Sequence, residues 1–333
     1  STEVFDETLG TTSLQPDSGT RADFRWESEL ALGTAGPFGV TLTFGQRFVD
    51  YRNVTSTSLF DQEITAGTID FTLTFSPVLT GTAQVFASRY EAEDATNTTR
   101  DERALSFGAI YTPNARTEIV GTVGAREIDD SVSGTSDGVE LELSYTRALS
   151  RGSFTVRGNT AETVAGQRNQ FEVSRVFEIP RGELEAAVGV SRTDGTNTEP
   201  VFALRYRHDT PRGRITANLD RSVSVTNNAE VQQLTRASLD YLRQLNQTSQ
   251  LTVGLSVIDL ENIGNVAFTE RQRGSLTAAI NRELTPDWTL SVGATRRYLD
   301  ENGVTTWDSS VFASVGRTVS IRPCLLQPGS GRA

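Results

Sequence analysis

Residues Gly138–Tyr145 read GVELELSY: Val139, Leu141, Leu143 and Tyr145 are apolar, while Glu140, Glu142 and Ser144 between them are polar. Side chains on an extended strand alternate between its two faces, so this stretch has one wet face and one greasy face. Working outward, the same alternation returns at Thr20–Leu32, where Ala22, Phe24, Trp26, Leu30 and Leu32 oppose Asp23, Arg25, Glu27 and Glu29. It returns again at Phe38–Phe44 and at Ile69–Phe75, and about a dozen and a half times along the chain, with no convincing helix between. Successive alternating segments joined by tight polar turns predict an all-β, antiparallel, up-and-down transmembrane β-barrel, greasy face to lipid and wet face to a lumen.

Composition supports this reading. The 333 residues are 36% hydrophobic, low for a soluble core of this size. No run approaches the ~18 uncharged apolar residues of a membrane helix. A barrel escapes both constraints, because only alternate residues of each strand must be apolar. A single cysteine, Cys324, excludes an intrachain disulfide. Met is absent, which fits a secreted chain whose signal peptide has been removed ahead of Ser1. Every basic residue other than His208 is Arg, and the net charge of −11 argues against a nucleic-acid partner.

Two kinds of connection alternate. Tight turns occur at Gly33–Pro37, Pro77–Gly81, Thr112–Arg116, Ala148–Gly152, Glu178–Gly182, Asp209–Gly213, Leu245–Ser249 and Leu284–Asp287. IPRG (Ile179–Gly182) and TPRG (Thr210–Gly213) share one chemistry, with Pro fixing φ and Gly supplying positive φ. The other connections, such as Glu91–Asp101, Asp129–Asp137, Asp194–Glu199 and Ser224–Glu230, are richer in Asp, Asn, Thr and Gly. Short turns belong to the periplasmic side and longer loops to the outside. Counting gives sixteen strands of about ten residues plus a closing strand at Ser309–Ile321. Even parity with both termini periplasmic then calls for an opening strand at Thr2–Leu9, hence about 18 strands and nine outer loops, with 16 strands as the fallback. The expected layout is one barrel domain over residues 1–323 and a C-terminal tail over 324–333. A soluble sandwich or solenoid is the competing architecture, but its strands run shorter. Aromatics near strand ends, Trp26, Tyr111, Tyr145, Tyr206, Trp288 and Tyr298, suit an interfacial girdle.

Placing the apolar face toward lipid assigns the lumen-lining candidates: Glu140, Glu142, Arg157, Glu172, Glu183, Glu185, Arg205, Arg207, Asp220, Arg271, Arg273 and Arg297. Their structural role is cross-strand pairing; their functional role is a hydrated path for a polar solute. Gln84, Phe86, Tyr90 and Phe312 are the large residues expected to point inward. No connection is long enough for an inward-folded constriction loop, which leaves an open tube or one filled by a partner.

Catalytic and metal-binding signals are weak. His208 stands alone beside Asp209 at a turn, with no Gly-x-Ser-x-Gly elbow. One Cys and one His make no Cys/His metal cluster. Acidic stretches such as Glu91–Asp94 and Asp129–Asp130 read as solvated loop charge before Ca²⁺ ligands. The expectation is a non-enzyme without cofactor or metal, in contact with outer-membrane lipid and lipopolysaccharide.

The layout TEVFDETLG (Thr2–Gly10), RASLDYLRQLNQTSQLTVGLSV (Arg236–Val257), LTAAINRELTPDWTLSVGATRRYLDENG (Leu276–Gly303) and VFASVGRTVSIRP (Val311–Pro323) resembles bacterial outer-membrane β-barrels associated with exopolysaccharide, capsule or holdfast export. The Leu-x-x-x-Trp hairpin at Leu284–Trp288 is the most specific part of the likeness. The resemblance implies a wide, porin-like channel for a polar polymer and a polysaccharide or periplasmic export partner. The chain departs from it by ending CLLQPGSGRA instead of on an aromatic. An assembly signal is therefore expected internally, near Val311–Pro323, unless the tail is an addition. A structural or docking barrel with a filled lumen is the alternative function.

Overall fold

The computed structural model describes residues 20–33, 36–53, 60–226, 230–263, 271–301 and 303–317. Seventeen strands form one sheet: β1 (Thr20–Leu32), β2 (Phe38–Arg52), β3 (Gln62–Ser76), β4 (Leu79–Ala92), β5 (Thr99–Asn114), β6 (Thr117–Asp130), β7 (Gly134–Leu149), β8 (Gly152–Thr163) and β9 (Gly166–Ile179) lead. They are followed by β10 (Gly182–Thr193), β11 (Thr198–Thr210), β12 (Gly213–Val225), β13 (Val231–Gln244), β14 (Ser249–Asn262), β15 (Arg271–Thr285), β16 (Trp288–Glu301) and β17 (Val304–Arg317). Each strand pairs antiparallel with the next, from β1–β2 through to β16–β17. Among the described residues no ladder joins β1 to β17. The expected opening strand Thr2–Leu9 and the tail with Cys324 lie outside them.

Burial along the sheet is inverted relative to a soluble protein. On β2, Thr43 and Arg47 are 9% and 8% exposed, whereas their neighbours Leu42, Phe44 and Phe48 are 37%, 44% and 37% exposed. The register carries one exposed apolar face across the wall: Phe107 opposes Val123, which opposes Leu141, and Leu255 opposes Leu276. Leaving so many large apolar side chains in water is unfavourable by about 25 cal/mol per Å², so this face is built for lipid. The same physics explains the low hydrophobic content: the interior of this wall is polar.

Gly152 adopts φ +102°, and a Cβ there would lie 2.0 Å from the Val176 carbonyl oxygen, so only glycine fits. The expectation for IPRG and TPRG is corrected: the left-handed position of IPRG is Arg181, at φ 63°, and neither Gly182 nor Gly213 takes positive φ. Both glycines answer instead to close backbone approach, since a Cβ would lie 2.1 Å from the Arg207 carbonyl oxygen at Gly182 and 2.0 Å from that of Leu242 at Gly213. Tyr111, Tyr145, Tyr206 and Trp288 share the lipid-side face near the short-turn end, while Trp26 lies in mid-strand, opposite Gln46.

Two expectations are corrected. Strands run 12 to 16 residues, not about ten, because the hairpins continue past the apolar belt, where both faces become polar and period-two alternation fades. The closing strand begins at Val304, not at Ser309, since Glu301 pairs with Val304 and sets the hairpin's register; its described part ends at Arg317, and residues 318–321 of the expected strand lie outside the described residues. Eight connections at the long-loop end, where nine were expected, join the seventeen described strands.

The polar face as candidate functional site

The twelve lumen-lining candidates all fall on the face opposite the exposed apolar residues. Register places Glu140 across from Gly124, Arg157 across from both Ser144 and Glu172, and Glu185 across from Arg205. The face divides into two electrostatic regions.

On β5 to β11 most charges are paired. Arg126 Nε reaches Glu140 at 2.6 Å and Arg126 Nη1 reaches Glu102 at 3.0 Å, lacing β5, β6 and β7 together, and its guanidinium lies 5.5 Å from the Phe86 ring of β4. Arg157 meets Glu142 at 2.9 Å, and Arg205 meets Glu185 at 3.0 Å. Arg207 approaches Asp209 at 3.5 Å, while Asp209 also accepts from Arg214 Nε at 2.6 Å. Glu183 stands across from Arg207. These groups are half-exposed, so each pair contributes about 0.2–1 kcal/mol and chiefly fixes side-chain orientation.

On β13 to β16 the pattern changes. Arg236 is across from Ile258, which is across from Arg273, and Arg297 is across from Ser275. Arg271 lies on the same face two residues from Arg273. Four cations therefore crowd three strands. Asp220 is across from Arg236 and Asp308 across from Arg297, yet Arg273 and Arg297 form no ion pair with any described acid. An opening of about 640 Å³ is lined in part by Ser256, Arg273, Ser275, Arg297 and Asp308. Hydroxyls fill the wall below: Ser256 bonds Ser275 at 2.7 Å, and Thr277 bonds Thr295 at 3.0 Å.

Toward the long-loop end side chains of both faces of the wall are buried. Val201, Val223 and Val231 form a buried apolar cluster with Ala165, Val225 and Ile263 against it. Arg168 of β9 donates through Nη1 to the Val223 carbonyl of β12 at 3.3 Å, crossing two intervening strands. In the loop after β4, the Asp94 carboxylate accepts from the Thr96 and Thr98 hydroxyls at 2.9 and 2.6 Å and from both backbone amides at 3.0 Å. Desolvation acts to raise its pKa, but the hydrogen bonds from Thr98 and Thr96 outweigh it and hold the carboxyl below its ordinary value. Both carboxylate oxygens are thus engaged inside the loop.

Sequence reasoning missed Arg126 and Arg236. Arg126 lies in GAREIDD, where charged residues occupy adjacent positions and parity alone does not say which faces inward, whereas Arg236 opens a clean alternation, RASLDY, whose parity puts it on the polar face with Ser238 and Asp240. His208 and Asp209 point to opposite faces; His208 stacks on Tyr206 at 6.2 Å, and the pair forms no dyad. Phe86, Tyr90 and Phe312 share the sheltered face, with Tyr90 buried beside Arg100.

No protein-family model and no curated protein matches this chain. Solved structures do. The siderophore receptor PirA from Pseudomonas aeruginosa aligns over 92% of this chain and 71% of its own, with TM-score 0.55 and 11% identity. The ferric citrate transporter FecA in the unliganded form aligns over 85% and 57%, with TM-score 0.52 and 10% identity. The copper transporter OprC aligns over 86% and 65%, with TM-score 0.51 and 11% identity. This chain thus spans less than two thirds of the latter two. What it shares with all three is the fold: the antiparallel, up-and-down wall of outer-membrane barrels.

Proposed function

We propose that this chain is an outer-membrane transport barrel that gives polar solutes a path along its charged, hydroxyl-rich face. One observation carries the reading: a polar wall sheltered behind an exposed apolar one, with an arginine cluster on β13 to β16 whose Arg273 and Arg297 are not neutralised by acids. A preserved cation cluster in an interior is costly unless water or an anionic visitor offsets it. Similarity in fold to transporters and receptors of siderophore, ferric citrate and copper supports transport as the class. Passage is passive or partner-gated and involves no chemistry on the solute. A polysaccharide as the solute rests on the layout resemblance alone.

A second reading, a structural or docking barrel with a filled lumen, is favoured by the Arg168–Val223 bond, which crosses two strands at the long-loop end. Single-channel recording in planar bilayers separates the two. Stepwise conductance reduced by an added anionic polymer is expected; silence from a folded, heat-modifiable protein would overturn the conduit reading.

A further inference from the structure

The acids of the lipid-side face are confined to one end. The long-loop end carries among them Glu63, Glu91, Asp101, Asp129 and Asp259, together with Arg89, Arg103 and Arg192. At the short-turn end the register places no Asp or Glu on it among the described residues. Instead, every odd-numbered strand from β7 to β17 carries a basic residue there: Arg147, Arg175, His208, Arg243, Arg282 and Arg317. The turns follow suit. Four consecutive ones bear Arg116, Arg151, Arg181 and Arg212, while the long-loop connections contain no arginine.

Depth and direction identify what these arginines face. Arg147 and Arg243 follow Tyr145 and Tyr241 by two residues on one face, and Arg317 lies 5.5 Å from the Trp288 ring. Tyrosine and tryptophan mark the headgroup level of a membrane. Arg175 packs 4.8 Å from the Phe177 ring, toward the turn, as a snorkelling side chain does. Arg147, Arg243 and Arg282 are exposed and form no ion pair with a described acid. A half-belt of guanidinium donors at headgroup depth, free of competing carboxylates, matches phosphodiester oxygens.

We infer that the short-turn rim of β7 to β17 binds anionic phospholipid headgroups of the adjoining leaflet, the guanidinium N–H groups donating to lipid phosphate. This depends on the chain's place in a membrane and not on its transport role.

The test is native mass spectrometry of the full chain extracted from vesicles of phosphatidylcholine mixed with phosphatidylglycerol. The wild type is expected to retain phosphatidylglycerol several-fold over phosphatidylcholine. The triple variant R147Q/R243Q/R282Q should lose that preference while staying heat-modifiable, and R89Q, at the other end of the lipid-side face, should keep it. Excess inorganic phosphate should not displace the lipid; displacement would make the site one for free phosphate and overturn the proposal. Equal retention of both lipids by the folded wild type would also overturn it. So would capture of a polyglutamate peptide, lost in the triple variant, without any lipid preference, which would assign the rim to an acidic protein.

Discussion

Arg100 on β5 stands directly opposite Asp130 on β6, and the two side chains, 6% and 4% exposed, form a buried ion pair with Arg100 Nη2 2.8 Å from Asp130 Oδ2. The other carboxylate oxygen, Oδ1, accepts the amides of Val132 and Ser133 at 2.9 and 2.8 Å. One side chain thus ties two strands to the loop that joins β6 to β7. The Tyr90 ring lies 5.7 Å from the guanidinium.

Removing one member of this pair strands the other charge in the packed end of the wall. Asp130→Ala should destabilise by about 3–5 kcal/mol, more than any single substitution at the half-exposed Arg157–Glu142 pair. Urea unfolding in detergent, followed by loss of heat-modifiable migration, reads the difference. The double variant R100M/D130L should recover part of the loss, because it removes the uncompensated charge but leaves the Val132 and Ser133 amides without their acceptor.

The two faces of β7 respond oppositely to charge. Leu141 is 52% exposed on the apolar face, and an arginine there would sit in hydrocarbon; Leu141→Arg should cost about 2–4 kcal/mol. Glu142, one residue on, faces the polar side beside Arg157 at 2.9 Å, and Glu142→Gln should cost less than about 1 kcal/mol. Equal effects in vesicle unfolding would show that the faces are misassigned.

These contrasts explain what could be read in advance. Period-two alternation is enforced wherever one face meets lipid, so β1 matched its sequence bounds, Thr20–Leu32, and every candidate from Glu140 to Arg297 fell on the polar face. Above the apolar belt nothing enforces it. There Glu127, Asp129 and Asp130 are all charged, and the sequence does not disclose that Asp130 alone is buried against Arg100. Pairing partners were equally hidden. Arg126 serves Glu102 and Glu140 because register, not proximity in sequence, brings three strands together. Strand ends slipped for the same reason: the Glu301–Val304 pairing sets the start of β17, but its signal in the sequence is two residues long.

The loop held by Asp94 should loosen in acid. Its carboxyl is depressed below the ordinary value of 3.8, so the stabilisation is present above that value and is lost as pH falls through the lower folded pKa. Thr96 and Thr98 amides both donate to Asp94, so their hydrogen exchange is the direct readout. After correction for intrinsic rates, protection should be strong near about pH 6 and weak near about pH 2. Asp94→Ala should abolish the pH dependence. Unchanged protection across that range would mean that the backbone bonds of the loop, such as Asn97 N to the Asp94 carbonyl, hold it without the side chain.

The arginine cluster of the polar face sets the sign of any permeating ion. Arg236, Arg273 and Arg297 present positive charge from β13, β15 and β16, whereas on β7 to β10 Glu140, Glu142 and Glu185 are paired with Arg126, Arg157 and Arg205 and Glu172, Glu178 and Glu183 form no ion pair with a described cation. Paired charges largely cancel at a distance, so the arginine cluster dominates the field felt by an ion passing along β13 to β16. A conduction path along those strands should therefore give a reversal potential of the anion-selective sign in a KCl gradient. R273E/R297E should lower the chloride-to-potassium permeability ratio several-fold, more at low salt than at high, because the field of the cluster is screened as ionic strength rises. E142Q/E185Q, which frees Arg157 and Arg205, should move the ratio the other way. A folded, conducting R273E/R297E variant with unaltered selectivity would place the conduction path away from β13 to β16 and remove the arginine cluster from the transport reading.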